Sequence, residues 1–264
     1  MKRLRHYNKE LAVVLSVFGS SEPSALEQYQ MLKQEIKHAL PPEAEVRMAI
    51  SSRTVLKKLE TYKTLAQELA DIDRLGCKKV VVASINLFPT DEHETVLNIT
   101  RGFDKHVSPA RYAVTSPIFT KAQAANDYLT ELDTDLRHEY GDINILYLAH
   151  GASNLSNTGT QSYFYVRDYL KILNQKNFFY TLEGLFKYEK EFLFGEIKKK
   201  EDLLLVPLLL VAGNHRLTDI QEIKENLEQD FKSVMVPENF TLLNIESTRK
   251  YFVDEVMEAI DCFI

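Results

Sequence analysis

Two of the chain's seven histidines occupy settings suited to chemistry. His150, in Leu148-Ala-His-Gly-Ala-Ser153, and His215, in Val211-Ala-Gly-Asn-His215, each closely follow a buried-strand pattern and lie among small residues. Gly151 and Gly213 leave room for a ligand to approach the backbone. Imidazole binds metals and exchanges protons near neutral pH, so the pair reads as metal or acid–base candidates. The plainer alternative is that both rings hydrogen-bond loop backbone. Glu183, in Phe178-Phe-Tyr-Thr-Leu-Glu-Gly184, is a lone carboxylate between an aromatic, strand-like run and a helix-like one. A glutamate also takes such a place for the helix dipole alone. Two histidines and one glutamate suit a divalent ion of the cobalt, nickel, iron or zinc type and leave coordination positions open. The other histidines read as structural: His6 in the basic tail, His38 and His138 near helix ends, His93 and His106 flanking a helix after Asp91. No HExxH, Walker loop or GxGxxG is present. Phe18-Gly-Ser20-Ser21 reads equally as an anion-binding helix start and as a plain strand–helix turn.

Composition narrows the classes. The 264 residues carry 32 basic and 38 acidic side chains, a net charge of −6, which argues against a general nucleic-acid binder. With 45% hydrophobic residues, nine Gly and eight Pro, the chain is neither disordered nor collagen-like. No apolar run approaches the roughly 18 to 20 residues that span a bilayer. Cys77 and Cys262 are far apart with no CxxC spacing, which fits a reducing cytoplasm better than a disulfide framework. Met1-Lys-Arg-Leu-Arg before the apolar Leu11–Phe18 has the outline of a signal peptide. Glu10 abuts that run, however, and the run serves better as a first strand.

The elements that must position these residues alternate. Strand patterns fall at Leu11–Val17, Glu45–Ile50, Lys79–Ile85, Arg111–Thr115, Ile143–Leu148 and Leu203–Leu210, with a last one at Thr241–Asn244. Several are nearly continuous in apolar character, as in strands covered on both faces. Val55, Leu59, Tyr62, Leu65, Leu69 and Ile72 recur at helical steps before a stop at Gly76, and Leu217, Ile220, Ile223, Leu227 and Phe231 repeat that spacing. Strand–helix alternation predicts α/β architecture with doubly wound parallel sheets. A weak repeat pairs Leu11–Ser21 with Ile143–Ser153, and Lys79–Leu87 with Asp202–Leu210. It predicts two similar lobes, residues 1–125 and 126–264, with a boundary near the Lys121–Tyr140 helix and an interlobe cleft. Ligands of open α/β sheets bind beyond the carboxyl ends of the strands.

At these residues the sequence resembles the anaerobic cobalt chelatases, the sirohydrochlorin cobaltochelatases of the class II chelatase superfamily. The likeness runs from Val14–Ser21 through Ala49–Leu59 and Ser84–Glu92 to His150-Gly-Ala-Ser153 and Pro207–His215, the last two being the most specific. It implies that His150, Glu183 and His215 bind the metal and that His150 and His215 accept the pyrrole protons. It implies a tetrapyrrole substrate held by candidates Ser20, Arg53 and Phe88, with Tyr163, Phe164 and Phe186 as further aromatic walls. The metal is then a substrate, Co2+ first with Ni2+ and Fe2+ as alternatives, and no permanent cofactor is needed. The implied setting is cobalamin biosynthesis in the cytoplasm, with no nucleic-acid or membrane partner and a homo-oligomer allowed. The chain departs from the family pattern at Ala149, Asn214 and Glu183-Gly-Leu-Phe186. Those departures keep open a second reading, a non-catalytic tetrapyrrole- or metal-binding paralogue of the same fold.

Overall fold

The computed structural model describes residues 6–156, 159–197, 200–211, 213 and 218–263. The chain divides into two compact units, residues 1–117 with 245–264, and residues 118–244. The first runs β1 (Lys9–Val17), α1 (Pro23–Ala39), β2 (Glu45–Ile50), α2 (Arg53–Lys58), α3 (Leu65–Leu75), β3 (Cys77–Ser84), α4 (Asp91–Gly102) and β4 (Arg111–Val114). The second runs α5 (Ala122–Tyr140), β5 (Asn144–Ala152), α6 (Thr160–Leu173), β6 (Asn177–Gly184), α7 (Lys190–Glu196), β7 (Asp202–Leu208), α8 (Ile220–Leu227) and β8 (Ser233–Met235). The C-terminal α9 (Glu246–Asp261) returns to the first.

Among the described residues each unit has one four-stranded sheet, in the orders β2-β1-β3-β4 and β6-β5-β7-β8, with every pairing parallel. In both, the first strand of the repeat is central, which is why β1 and β5 read as continuous apolar runs. Ala12, Val13, Val14 and Leu15 have no exposure, nor have Ile145, Leu146, Tyr147, Leu148 and Ala149. Complete burial of one Val or Leu side chain contributes about 1.5–3 kcal/mol. Leu65, Leu69 and Ile72 of α3 and Val96 of α4 pack with Ala12, Val14, Val80 and Val82 on one face of the first sheet. In the second unit Leu193 of α7 and Ile220 and Leu227 of α8 pack with Leu146, Leu148, Leu203 and Leu205.

Three departures from the sequence reading have physical causes. The helical spacing from Val55 to Ile72 is broken at 59–64, where Lys63 pairs in parallel with Ala49 beside β2. A Thr64–Gln67 capping box then starts α3 afresh. Leu242–Asn244 is a 3-10 turn rather than a strand, and the outer strand of its sheet is Ser233–Met235. Leu242 and Leu243 nonetheless donate to the carbonyls of Leu209 and Leu210 at 3.0 and 2.9 Å, so their apolar character reflects real burial. Finally, the compact units part at 117/118 rather than 125/126, and the tail leaves the second. Arg249 pairs with Glu35 at 2.7 Å, Glu255 accepts from the Ser116 amide at 3.1 Å, and Arg111 donates to the Phe263 carbonyl at 2.6 Å.

Candidate functional site

His150 and Glu183 come from adjacent central and edge strands. In the β5–β6 register Gly151 lies opposite Glu183, and His150 Nε2 stands 4.0 Å from Glu183 Oε1. Successive strand residues point to opposite faces. The chain turns at Gly151, with φ of +101°, and the two side chains converge instead. A Cβ at Gly151 would meet the Glu183 carbonyl oxygen at 1.9 Å, so only glycine allows the two strand ends to approach this closely.

Thr181, fully buried on β6, fixes the carboxylate's backbone. Its hydroxyl is placed to donate to the carbonyls of Leu185 at 2.5 Å and Glu183 at 2.9 Å. Its amide donates to Phe186 O at 2.9 Å, while the Leu185 amide reaches back to Ala152 O at 3.2 Å. The segment after Glu183 is therefore folded tightly onto the strand end.

Toward the amino ends of the same strands, a buried polar network ties α5, β5, β6 and α6 together. Asp133 accepts from Tyr147 Oη at 2.8 Å, Asn177 Nδ2 at 2.9 Å and Arg137 Nε at 3.0 Å. Arg137 Nη2 donates to Asn177 Oδ1 at 2.5 Å, and Asn177 Nδ2 also reaches Leu170 O at 3.0 Å. Burial and the Asp133 carboxylate push the Tyr147 phenol well above its ordinary value, so it stays a neutral donor.

At 4.0 Å His150 and Glu183 do not hydrogen-bond each other. They are both about half exposed, at 44% and 54% of the side chain, so their mutual attraction adds little stability. The separation lies within the ~4.2 Å that two metal–ligand bonds of about 2.1 Å can span. An imidazole nitrogen and a carboxylate oxygen, both reachable from solvent, are donor types that a divalent ion of the first transition row accepts. His215 lies outside the described residues, among which no cluster of three potential metal ligands occurs.

The other candidates belong to the first unit. Ser20, Arg53 and Phe88 follow the carboxyl ends of β1, β2 and β3. Arg53 is exposed at the start of α2. Ser20 is buried, and its hydroxyl accepts from the Glu22 amide at 3.1 Å, the bond of a turn. Phe88 is only 6% exposed and packs in the core, so its ring does not present a wall. His93 is a satisfied core histidine: Nδ1 is 2.8 Å from the buried Ser84 Oγ, and burial lowers its pKa. Asn86 Nδ2 donates to that same hydroxyl at 2.9 Å. Sequence reasoning missed Thr181, whose partners lie in the turn that follows it, and the Asp133 network, whose partners lie on different elements; only the polar residues within apolar runs hinted at them.

Parallel four-stranded sheets with a metal-capable pair at a carboxyl edge define a chelatase-like α/β protein. The sequence profile of the cobalt chelatase (CbiK) family matches residues 11–261, and the chain belongs to that family of metal chelatases. No curated protein matches the chain significantly. Among solved structures, SirB from Bacillus subtilis with Fe3+ is similar at a TM-score of 0.71 and 14% identity, covering 95% of each chain. The sirohydrochlorin chelatase SirB from Bacillus subtilis subspecies spizizenii in complex with cobalt aligns at 0.67 and 16%, over 96% of each. DR2241 from Deinococcus radiodurans, a multi-domain protein with structural similarity to chelatases, aligns at 0.59 and 14%, over 96% of this chain and 56% of its own. At these identities the likenesses define the fold. Among the described residues no helix is long and apolar enough to cross a membrane.

Proposed function

We propose that this protein inserts a divalent metal, Co2+ first among the candidates, into sirohydrochlorin or a closely related tetrapyrrole. The carrying observation is the convergence of His150 and Glu183 at 4.0 Å on the carboxyl edge of the second sheet, in a chain of the cobalt chelatase family. The fold likeness to SirB, whose structures carry Fe3+ and cobalt, supports a tetrapyrrole substrate and keeps Fe2+ beside Co2+. Cobalamin biosynthesis in the cytoplasm remains the setting that the family affiliation favours.

Insertion replaces two pyrrole N–H protons with one M2+ and releases two protons. Three tasks follow: hold the ion, shed its water, and receive the protons. His150, Glu183 and His215 are assigned as ligands, and the carboxylate keeps the site attractive to a dication. His150 and His215 are assigned as proton acceptors, since imidazole with an ordinary pKa of about 6.5 is largely neutral near pH 7. Ser20 and Arg53 stay as candidates for substrate carboxylates. Phe88, only 6% exposed, offers little ring surface.

An anaerobic visible-absorbance assay with sirohydrochlorin and Co2+ tests this reading. The expected result is insertion well above the uncatalysed rate, abolished by combining His150→Ala with His215→Ala. A macrocycle spectrum that shifts on binding while Co2+, Ni2+ and Fe2+ all stay out would make the protein a carrier. No shift would sink both readings.

A further inference from the structure

Three residues after Glu183, Phe186 holds a backbone conformation that a bulky side chain seldom adopts, with φ of +58°. Such strain persists where surrounding contacts over-determine it, and it gathers at ligand clamps. The contacts here are the Thr181 amide on Phe186 O at 2.9 Å and the Thr181 hydroxyl on Leu185 O at 2.5 Å.

The conformation sets the Phe186 ring against α6. Its centroid lies 4.7 Å from that of Phe164, edge to face. The Arg167 guanidinium lies 4.4 Å from the Phe186 centroid and 5.3 Å from that of Phe164. Phe164 is nonetheless 41% exposed, and Arg167 remains 38% exposed in its side chain. Arg167 uses Nε and Nη2 on one oxygen of the exposed Asp168, at 2.8 and 2.7 Å. Its Nη1 has no protein partner among the described residues. Phe186 also lines an open groove of about 510 Å³ with Lys187 and Phe192, the latter 60% exposed. The groove's Glu196 is engaged by Tyr180 Oη at 2.8 Å and Lys171 Nζ at 3.4 Å, while Glu189 also lines it.

A partly exposed aromatic pair with a guanidinium stacked on it matches a ligand that is flat, apolar on its face and anionic at its rim. Aromatic edges and faces take the ring, and the guanidinium takes a carboxylate. We infer that Phe164, Arg167 and Phe186 form a binding platform for the polycarboxylate macrocycle beside Glu183, with Arg167 selecting for its peripheral carboxylates. This inference rests on the tetrapyrrole reading above and adds the residues that set macrocycle affinity, which differ from those that hold the metal.

The test is steady-state kinetics with sirohydrochlorin and Co2+ for wild type, Arg167→Ala, Arg167→Lys, Phe186→Leu and Phe186→Tyr. The expected result is a KM for the macrocycle raised about tenfold in Arg167→Ala and Phe186→Leu, with kcat and Co2+ dependence unchanged. Phe186→Tyr should behave as wild type, and Arg167→Lys should recover part of the loss. Raising salt should shrink the Arg167→Ala defect but not the Phe186→Leu defect, because only the carboxylate contact is screened. Equal KM values across the series would overturn the platform. A wild type that does not metallate sirohydrochlorin would instead overturn the chelatase reading. The platform is then decided by absorbance titration with uroporphyrin, an eight-carboxylate macrocycle. The same tenfold ranking of dissociation constants supports it, and equal or absent binding overturns it.

Discussion

The two sheets share a strand order and a strand direction, and their first strands end in the same backbone device. β1 passes into Phe18-Gly19-Ser20 and β5 closes on His150-Gly151-Ala152, with the glycines at φ of +93° and +101°. The equivalent position carries a 52% exposed phenylalanine in one unit and an imidazole in the other. Beyond β2 stand Ser51 and Ser52, whereas β6 ends at Glu183-Gly184. The first unit does place a histidine near its carboxyl edge, but His93 is spent inside, bonded to Ser84. The comparison teaches that the turn geometry belongs to the architecture, while the chemistry depends on which side chain rides on it. One edge carries the histidine–glutamate pair, and the equivalent places on the other carry a phenylalanine and serines.

The most severe break of that contrast is at the proposed ligands. His150→Ala should lower kcat for metal insertion by about 10²–10⁴-fold, the range for losing a positioned acid–base group. Phe18→Ala, at the equivalent place, should leave kcat within about threefold, since a half-exposed apolar side chain contributes packing only. Single-turnover absorbance traces separate the two outcomes.

The supports should differ next. Asp133→Ala strands Arg137, Tyr147 and Asn177 in the second unit. It should cost about 3–5 kcal/mol, as for one partner removed from a buried pair. In the first unit Arg47 bridges Glu45 and Glu68 at 2.9 and 3.1 Å with a quarter of its side chain exposed. Arg47→Ala should cost only about 1 kcal/mol. Urea unfolding of both variants checks the ranking.

A third contrast concerns the glycines themselves. A Cβ at Gly151 collides with backbone, the Glu183 carbonyl at 1.9 Å, whereas one at Gly19 meets the tip of Ile50, Cγ2 at 2.6 Å. Side-chain tips move more cheaply than paired strands. Gly151→Ala should therefore destabilise by about 2–4 kcal/mol and Gly19→Ala by about 1–2, mostly backbone strain. Thermal melts of both variants measure the difference.

The smallest effect is a pH dependence peculiar to the first unit. Burial holds the pKa of His93 below its ordinary value. As pH falls below about 6.5 the unfolded imidazole gains a proton that the folded one refuses, so stability drops. His93→Gln should lose less stability than wild type between pH 7.5 and 5.5, by under about 1 kcal/mol, in denaturant titrations at each pH.

How much was legible follows the same division. The apolar runs of β1, β3, β5 and β7 announce parallel strands because both faces are covered. His150 was visible because a polar ring at the end of such a run has no packing reason to be there. The edge strand β8 escaped notice: Ser233-Val-Met235 is too short to show a period, and the buried Thr241-Leu-Leu243 nearby imitates one. The break between α2 and α3 was hidden because the apolar spacing continues across it, and only the Thr64–Gln67 cap marks the restart. Asp133 acts through partners on other elements, so spacing along the chain carries no trace of what it holds; Thr181 and Arg167 have near neighbours in sequence, but their roles depend on how the segment after Glu183 folds back.

The proposal that His150 and Glu183 together hold the metal makes a direct binding prediction. Anaerobic equilibrium titration with Co2+, followed by the visible absorption of the bound ion, tests it most directly in wild type, His150→Ala and Glu183→Gln. One site per chain is expected in wild type, weakened by on the order of a hundredfold in each variant, at least what loss of a supporting contact costs a metal site. Wild-type affinity in either variant would contradict it.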